Sequence, residues 1–177
     1  MQRRRLSRLQ ARSVVLLSDT HGPVHEDVIC ELPPADLIVH LGDIGSRHAL
    51  NQLAGIAEVV AVRGNNDTCD KWCSSEYPTL RKLPASAEIE LSGGTIVAVH
   101  GHQWPATATR HQRMRDTWPD AECIVYGHSH RAVIDSHTIP WVVNPGAAGR
   151  ARAYDGPGWI VISISPRGWQ FTEFRIN

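Results

Sequence analysis

The sequence predicts a single α/β domain, a sandwich that starts with parallel strands and becomes richer in antiparallel strand towards its end. Three observations predict it. Short β-branched runs alternate with helical patterns through the first third of the chain, as βα units do. Beyond residue 86 the pattern changes to short strands broken by Gly and Pro turns. Five of the apolar runs stop abruptly in loops rich in Asp, His and Asn, and open α/β sheets bind ligands outside the carboxyl ends of their strands.

Ser13 to Ser18 is short, β-branched and apolar, a strand buried on both faces that ends in Asp19-Thr-His21-Gly. Pro23 to Leu32 suits a helix. Asp36 to Leu41 is a second buried strand, closed by Gly42-Asp43-Ile44-Gly45. Ser46 to Leu53 is helical in pattern, and Glu58 to Val62 is a strand running into Arg63-Gly64-Asn65-Asn66-Asp67. The stretch from Thr68 to Pro78 is irregular. Ala87 to Leu91 and Thr95 to Val99 flank Gly93-Gly94 as a hairpin, and the second strand leads into His100-Gly101-His102. Thr107 to Trp118 reads as a surface helix. Glu122 to Tyr126 is a strand that ends in Gly127-His128-Ser129-His130.

At 177 residues the chain has the size of one domain, and no repeat, low-complexity tract or long linker divides it. The expected organisation is a basic extension over residues 1–12, with arginines at 3, 4, 5, 8 and 12 that solvate and fray, followed by one domain over 13–177. Eighteen basic residues balance eighteen acidic ones, so no global field draws the protein to nucleic acid or anionic lipid. No stretch reaches the roughly eighteen consecutive apolar residues that span a bilayer, and no apolar run follows the basic start. The expectation is no membrane partner and a cytoplasmic location. Cys30, Cys69, Cys73 and Cys123 follow no paired zinc spacing and read as free thiols.

Histidine is the unusual residue, with ten copies. The strand ends deliver, in order, Asp19 and His21, Asp43, Asn65, His100, and His128 and His130. Taken singly, each Asp or Asn motif also reads as a turn or a cap. The His128-Ser-His130 pair, directly after a buried strand and a glycine, has little structural purpose without a metal or an anion. Seven oxygen and nitrogen donors without thiolate suit Mn, Fe, Zn, Co or Ni. They are too many for one catalytic ion that keeps a position open, but one Asp can bridge two ions about 3.5 to 4 Å apart. Asp43, in the middle of the order, is the natural bridge. His25, His40, His48, His111 and His137 lie outside these motifs and read as surface or core histidines.

The set Asp19-Thr-His21, Gly42-Asp43, Gly64-Asn65-Asn66-Asp67, His100-Gly101-His102 and Gly127-His128-Ser129-His130 resembles the calcineurin-like metallophosphoesterases, in their small single-domain phosphodiesterase branch related to the retromer subunit Vps29. The resemblance runs from about Val14 to Gly146. It implies two facing mixed β-sheets with helices outside. It also implies one ion on Asp19, His21, Asp43 and His130, a second on Asp43, Asn65, His100 and His128, and a hydroxide between them for in-line attack on phosphorus. Manganese is the favoured metal. Two departures stand out. Asn66 takes the place of a histidine that helps the leaving group in many members, and Asn144-Pro-Gly-Ala147 lacks a hydroxyl usual in the branch.

With an amide at position 66, the departing oxygen must be helped by metal, water or His102, which favours acidic leaving groups and diesters over alkyl monoesters. Asp43, Asn66 and His102 are the expected catalytic residues, and Arg150 or Arg152 could meet a phosphate. The expected partner is a small phosphodiester, a nucleotide among the options, and the chain could form a homo-oligomer. Two alternatives stand beside this expectation: a non-catalytic scaffold of the Vps29 type, opposed by the complete ligand set, and a nuclease, opposed by the zero net charge.

Overall fold

The computed structural model describes residues 3–149, 153–154 and 156–176. Its strands and helices are β1 (Arg3–Ser7), β2 (Ser13–Leu17), α1 (Glu26–Glu31), β3 (Leu37–His40), α2 (Arg47–Ala54), β4 (Glu58–Ala61), α3 (Tyr77–Leu80), β5 (Ser86–Leu91), β6 (Gly94–Val99), α4 (Arg110–Thr117), β7 (Cys123–Val125), β8 (Ala132–Asp135), β9 (Trp141–Pro145), β10 (Gly158–Ser165) and β11 (Gly168–Arg175). They form a six-stranded sheet ordered β1-β5-β6-β7-β9-β8 and a five-stranded sheet ordered β11-β10-β2-β3-β4. Both sheets are mixed. The β2-β3-β4 run of one is parallel, as is the β6-β7-β9 run of the other.

Side-chain alternation explains why these strands read as continuous apolar runs. Val14 and Leu16 enter the cluster between the sheets, whereas Val15 and Leu17 face outward to Val28 of α1 and Ala49 and Leu53 of α2. In β10, Ile160, Ile162 and Ile164 point inward while Trp159 and Val161 join that outer layer. On the opposite side, Ile96 and Ala98 face in, and Val97 and Val99 pack outward with Met114 of α4. Layers on both outer faces remove any polar side from the central strands.

Local chemistry sets the helix ends. The Ser46 hydroxyl caps α2 by accepting from Ala49 N at 3.3 Å. Helix α1 is shorter than the expected 23–32: the His25 ring accepts from Asp27 N at 3.3 Å, and Pro33-Pro34 follow at once. The expected helix 107–118 is a 3-10 turn at Thr107–Thr109 continuing into α4. The expected irregular stretch contains a second such turn, Ser74–Glu76, and the start of α3, where Pro78 stands in the first turn that tolerates it. No helix among the described residues is long and apolar enough to cross a membrane.

The basic N-terminus departs from its expected frayed state. Arg3–Ser7 is strand β1, parallel to β5. Arg3 and Arg5 both pair with Glu88, a carboxylate only 7% exposed, and Leu6 packs against the central cluster. Arg8 continues the pattern by pairing with Glu58. Arg3, Arg5 and Arg8, expected as solvated charge, pair with acids on strand β5 and at the start of β4.

Leu16, fully buried at the centre of its sheet, and Leu6, partly buried on the added edge, separate core from annex. Leu16→Ala is expected to cost about 2–5 kcal/mol and Leu6→Ala about 1 kcal/mol in urea unfolding. Equal losses would make β1 an integral part of the core.

Candidate metal centre

The parallel strands of both sheets end on one side of the sandwich, and their last turns carry the polar residues. Backbone hydrogen bonds join these turns: Asp19 N to Gly42 O (3.0 Å), His21 N to Asp43 O (2.9 Å), Gly22 N to Ile44 O (2.8 Å), and Gly127 N to His100 O (3.1 Å). Among the described residues, the non-glycine residues with positive φ are Asp19, His21, Asp43, His128 and His130, at 53, 50, 52, 67 and 56°. Left-handed backbone is unfavourable for side chains with a Cβ, and such residues gather where function requires a particular aim. All five are residues that the sequence nominates for metal.

Asp19, Asp43 and His100 form a buried floor. Asp19 Oδ2 accepts from His128 N at 2.9 Å and from the Ser18 hydroxyl at 2.6 Å. Its Oδ1 is buried without a hydrogen-bond partner, 3.4 Å from His130 Nε2. Asp43 Oδ1 accepts from Asn66 N at 2.7 Å, and Oδ2 accepts from Asn66 Nδ2 at 2.6 Å while lying 3.4 Å from His100 Nε2 and 3.9 Å from His21 Nε2. Burial pushes the Asp43 carboxyl up, but hydrogen bonding and charge from His100, with the Asn66 donors, hold it well below the usual carboxylate range.

His100 donates from Nδ1 to Leu41 O at 2.8 Å, which turns Nε2 into the centre, 3.1 Å from Asn65 Oδ1. Burial disfavours its charged form, yet the Asp43 hydrogen bond and the Asp19 and Asp43 charges raise its pKa above the ordinary histidine value.

Partly exposed imidazoles line the rim. His21 and His130 bring their Nε2 atoms to 3.2 Å. The His128 ring lies 5.2 Å from that of His100, and the His102 ring lies 5.5 Å from His100 and 6.2 Å from His128. Burial lowers the pKa of His102 and of His128, and the neighbouring His100 lowers both further. Both rings are therefore neutral near pH 7, as a metal ligand requires. Asn65 is exposed and its neighbour Asn66 partly so, leaving the mouth open to solvent on that side.

Two donor groups emerge, Asp19 with His21 and His130, and Asp19 with Asp43 and His100, each with ligand atoms within 4.8 Å of one another. Asp19 thus belongs to both, while Asp43 lies between His100 and His21. Acceptor atoms crowd together here: a carboxylate oxygen without a donor, and the inward nitrogen of His100 facing Asn65 Oδ1 and Asp43 Oδ2. Such a set is costly to bury unless protons or cations lie among its members. Oxygen and imidazole donors fit divalent transition ions.

Several residues quoted in the motifs act as braces, a role the sequence does not assign them. Asp67, fully buried, accepts from Ile44 N (2.9 Å), Gly45 N (3.1 Å) and Trp72 Nε1 (3.1 Å) at Oδ1 and from Gly64 N (2.8 Å) at Oδ2, tying the Asp43 turn to the Asn65 turn. Asn144 donates to Gly127 O at 2.7 Å and Ser129 Oγ at 3.0 Å, holding the His128–His130 turn. A Cβ at Gly64 would overlap the Asp43 backbone and carboxylate, and one at Gly127 would meet Asp19 Oδ2. The signal available was a buried-type turn sequence with more Asp and Asn than its ligands needed. Of the outlying histidines, His40 is buried against the Thr20 hydroxyl at 3.0 Å, and His111 bridges Asp135 (2.7 Å) and Tyr126 (3.0 Å). Arg150 and Arg152 lie outside the described residues.

The model of the calcineurin-like phosphoesterase superfamily domain matches residues 13–167. A probable metallophosphoesterase of Methanothermobacter thermautotrophicus is 29% identical over 157 residues, covering 84% of this chain and 84% of that protein. Solved structures share the fold. A novel archaeal phosphodiesterase superposes with a TM-score of 0.67 at 19% identity, over 92% of this chain and 99% of the other. Wild-type Vps29 of Entamoeba histolytica, in complex with zinc, superposes with a TM-score of 0.65 at 16% identity, over 93% and 99%.

Two predictions follow from this geometry. Gly64→Ala displaces Asp43 and should weaken Mn binding at least about 10-fold by calorimetry while the far-ultraviolet spectrum stays native. In metal-free protein, the raised pKa of His100 means that its contribution to stability is complete below about pH 6.5 and disappears as pH rises through the folded value. The stability gap between wild type and His100→Gln should therefore be larger at pH 5.5 than at pH 9; a gap that grows with pH contradicts this assignment.

Proposed function

We propose that this chain, which belongs to the calcineurin-like phosphoesterase superfamily, is a hydrolase that binds two divalent transition ions and cleaves phosphodiesters in preference to alkyl monoesters. The observation that carries the reading is the crowding of acceptor atoms around the unpartnered Asp19 Oδ1 and the inward Nε2 of His100. In this reading Asp19, His21, Asp43 and His130 hold one ion, and Asp43, Asn65, His100 and His128 hold the other, with manganese favoured. Bound ions would lower the pKa of an attacking water and polarise phosphoryl oxygens.

The remaining work falls to the chain. Asp43, with its depressed pKa, stays ionised across the physiological range, and in this reading its Oδ2, between His100 and His21, serves both ions, beside an Asp19 that also borders both donor groups. The Nδ1–H of His100, committed to Leu41 O, fixes the tautomer that aims Nε2 inward. His128 and His102 present neutral rings, so neither repels a cation, and in this reading His102, beside the His100 and His128 rings, contacts the substrate. Asn66 is engaged with both oxygens of Asp43 and cannot deliver a proton near neutral pH. That limit favours acidic leaving groups and supports the diester preference, as does the fold shared with an archaeal phosphodiesterase.

The fold shared with Vps29 keeps a non-catalytic scaffold as the second reading. Activity separates them. Protein loaded with Mn should hydrolyse bis-p-nitrophenyl phosphate, and His128→Ala should reduce the rate by about 100-fold or more. Activity that survives this substitution belongs to a contaminant and favours the scaffold. Elemental analysis should find two ions per chain in wild type, loss of both in Asp43→Ala, and loss of mainly one in His21→Ala; equal loss would refute the bridging role of Asp43.

A further inference from the structure

Lys71 is attached to this centre through one intervening side chain. Its Nζ donates to Asn66 Oδ1, and Asn66 Nδ2 donates to Asp43 Oδ2 at 2.6 Å. The turn that carries Lys71 is fixed from below. Trp72, 4% exposed, donates its indole N–H to Asp67 Oδ1 at 3.1 Å, and the backbone N–H groups of Lys71 and Trp72 both donate to Thr68 O at 3.1 Å. Asp67 in turn holds the Asp43 and Gly64 turns. One buried carboxylate thus positions both the acidic floor and the lysine beside it. Lys71 itself is exposed, next to the open side of the mouth formed by Asn65 and Asn66.

An ammonium has three donors, and Asn66 Oδ1 uses one. The other two remain for a ligand on the exposed side, beside Asn65 and Asn66, while the Asn66 amide can supply no proton there.

We propose that Lys71 is the specificity-determining residue for the leaving group: its ammonium holds the charge on the departing oxygen and so admits esters of poorer leaving groups. This rests on the phosphoesterase reading. In the step concerned, water oxygen bonds to phosphorus and the phosphorus–oxygen bond to the leaving alcohol breaks. The bonding pair stays on the leaving oxygen, and the proton given up by the water neutralises it. The ammonium stabilises that oxygen until the proton arrives, and is itself unchanged at the end.

The test compares wild type, Lys71→Gln and Lys71→Arg, loaded with Mn, on phosphodiesters whose leaving groups range from p-nitrophenol to simple alcohols. Calorimetric binding of inorganic phosphate supplies a readout independent of turnover. Lys71→Gln should lose about 30-fold in kcat on alkyl leaving groups and less than about 3-fold on p-nitrophenol, and should bind phosphate about 10-fold more weakly, the range of a charge-assisted hydrogen bond. Lys71→Arg should recover most of both, and Mn affinity and Tm should stay at wild-type values in both variants. Equal losses across all leaving groups, or a loss of Mn affinity, would reduce Lys71 to a prop for Asn66 and overturn the proposal. Phosphate binding unchanged in Lys71→Gln also overturns it. Wild-type protein that binds Mn and phosphate yet cleaves no ester of the series overturns the phosphoesterase reading, and the role of Lys71 in holding an anion is then decided by the phosphate measurement alone.

Discussion

Electrostatic crowding governs this molecule's business end. Two carboxylates and His100 are buried together on the floor, with four further imidazoles above them, in a volume where polar atoms approach within 3.1 to 3.9 Å. In a medium of low dielectric such an arrangement flies apart unless positive charge enters or the backbone forbids separation. Both responses are visible. Protons are drawn in, which is why His100 is easier to protonate than an ordinary histidine despite its burial. The backbone resists through a layer of neutral and acidic braces that accept or donate hydrogen bonds without approaching the centre themselves.

Hydrogen bonds of the centre's own residues also cross the seam between the sheets. His128 N donates to Asp19 and His100 Nδ1 donates to Leu41 O, each bond joining a turn of one sheet to a turn or strand end of the other. Asp67 and Asn144 then stiffen each side separately. The apolar clusters keep the sheets stacked with no side chain of the candidate metal centre among their members. Stacking and aiming are therefore separate tasks, assigned to separate residues.

This division explains what could be read from the amino-acid order alone. Buried parallel strands announce themselves as unbroken apolar runs because both faces are covered, and ligand turns stand out because Asp and His abruptly follow such runs; Val14–Leu17 leading to Asp19 shows both. The role of Arg3–Ser7 was not legible, since an arginine-rich segment becomes a strand only when Glu88, more than eighty residues away, offers its charge at the right register. Asp67 and Lys71 escaped for a related reason: nothing in Gly-Asn-Asn-Asp distinguishes a carboxylate that caps amides from one that binds metal until the turn is folded. Helix limits shifted by a few residues wherever a proline or a side-chain cap outweighed periodicity.

The left-handed backbone of Asp19, His21, Asp43, His128 and His130 sets the fold against its own site. Each of these residues holds a conformation that glycine adopts with less strain. Glycine at any of them would relieve that strain but remove a side chain from the centre, and at Asp19 or Asp43 also the acceptor of buried hydrogen bonds, so local backbone comfort and the aim of the site oppose each other. The fold thus accepts strained backbone at five positions in order to aim five side chains at one place.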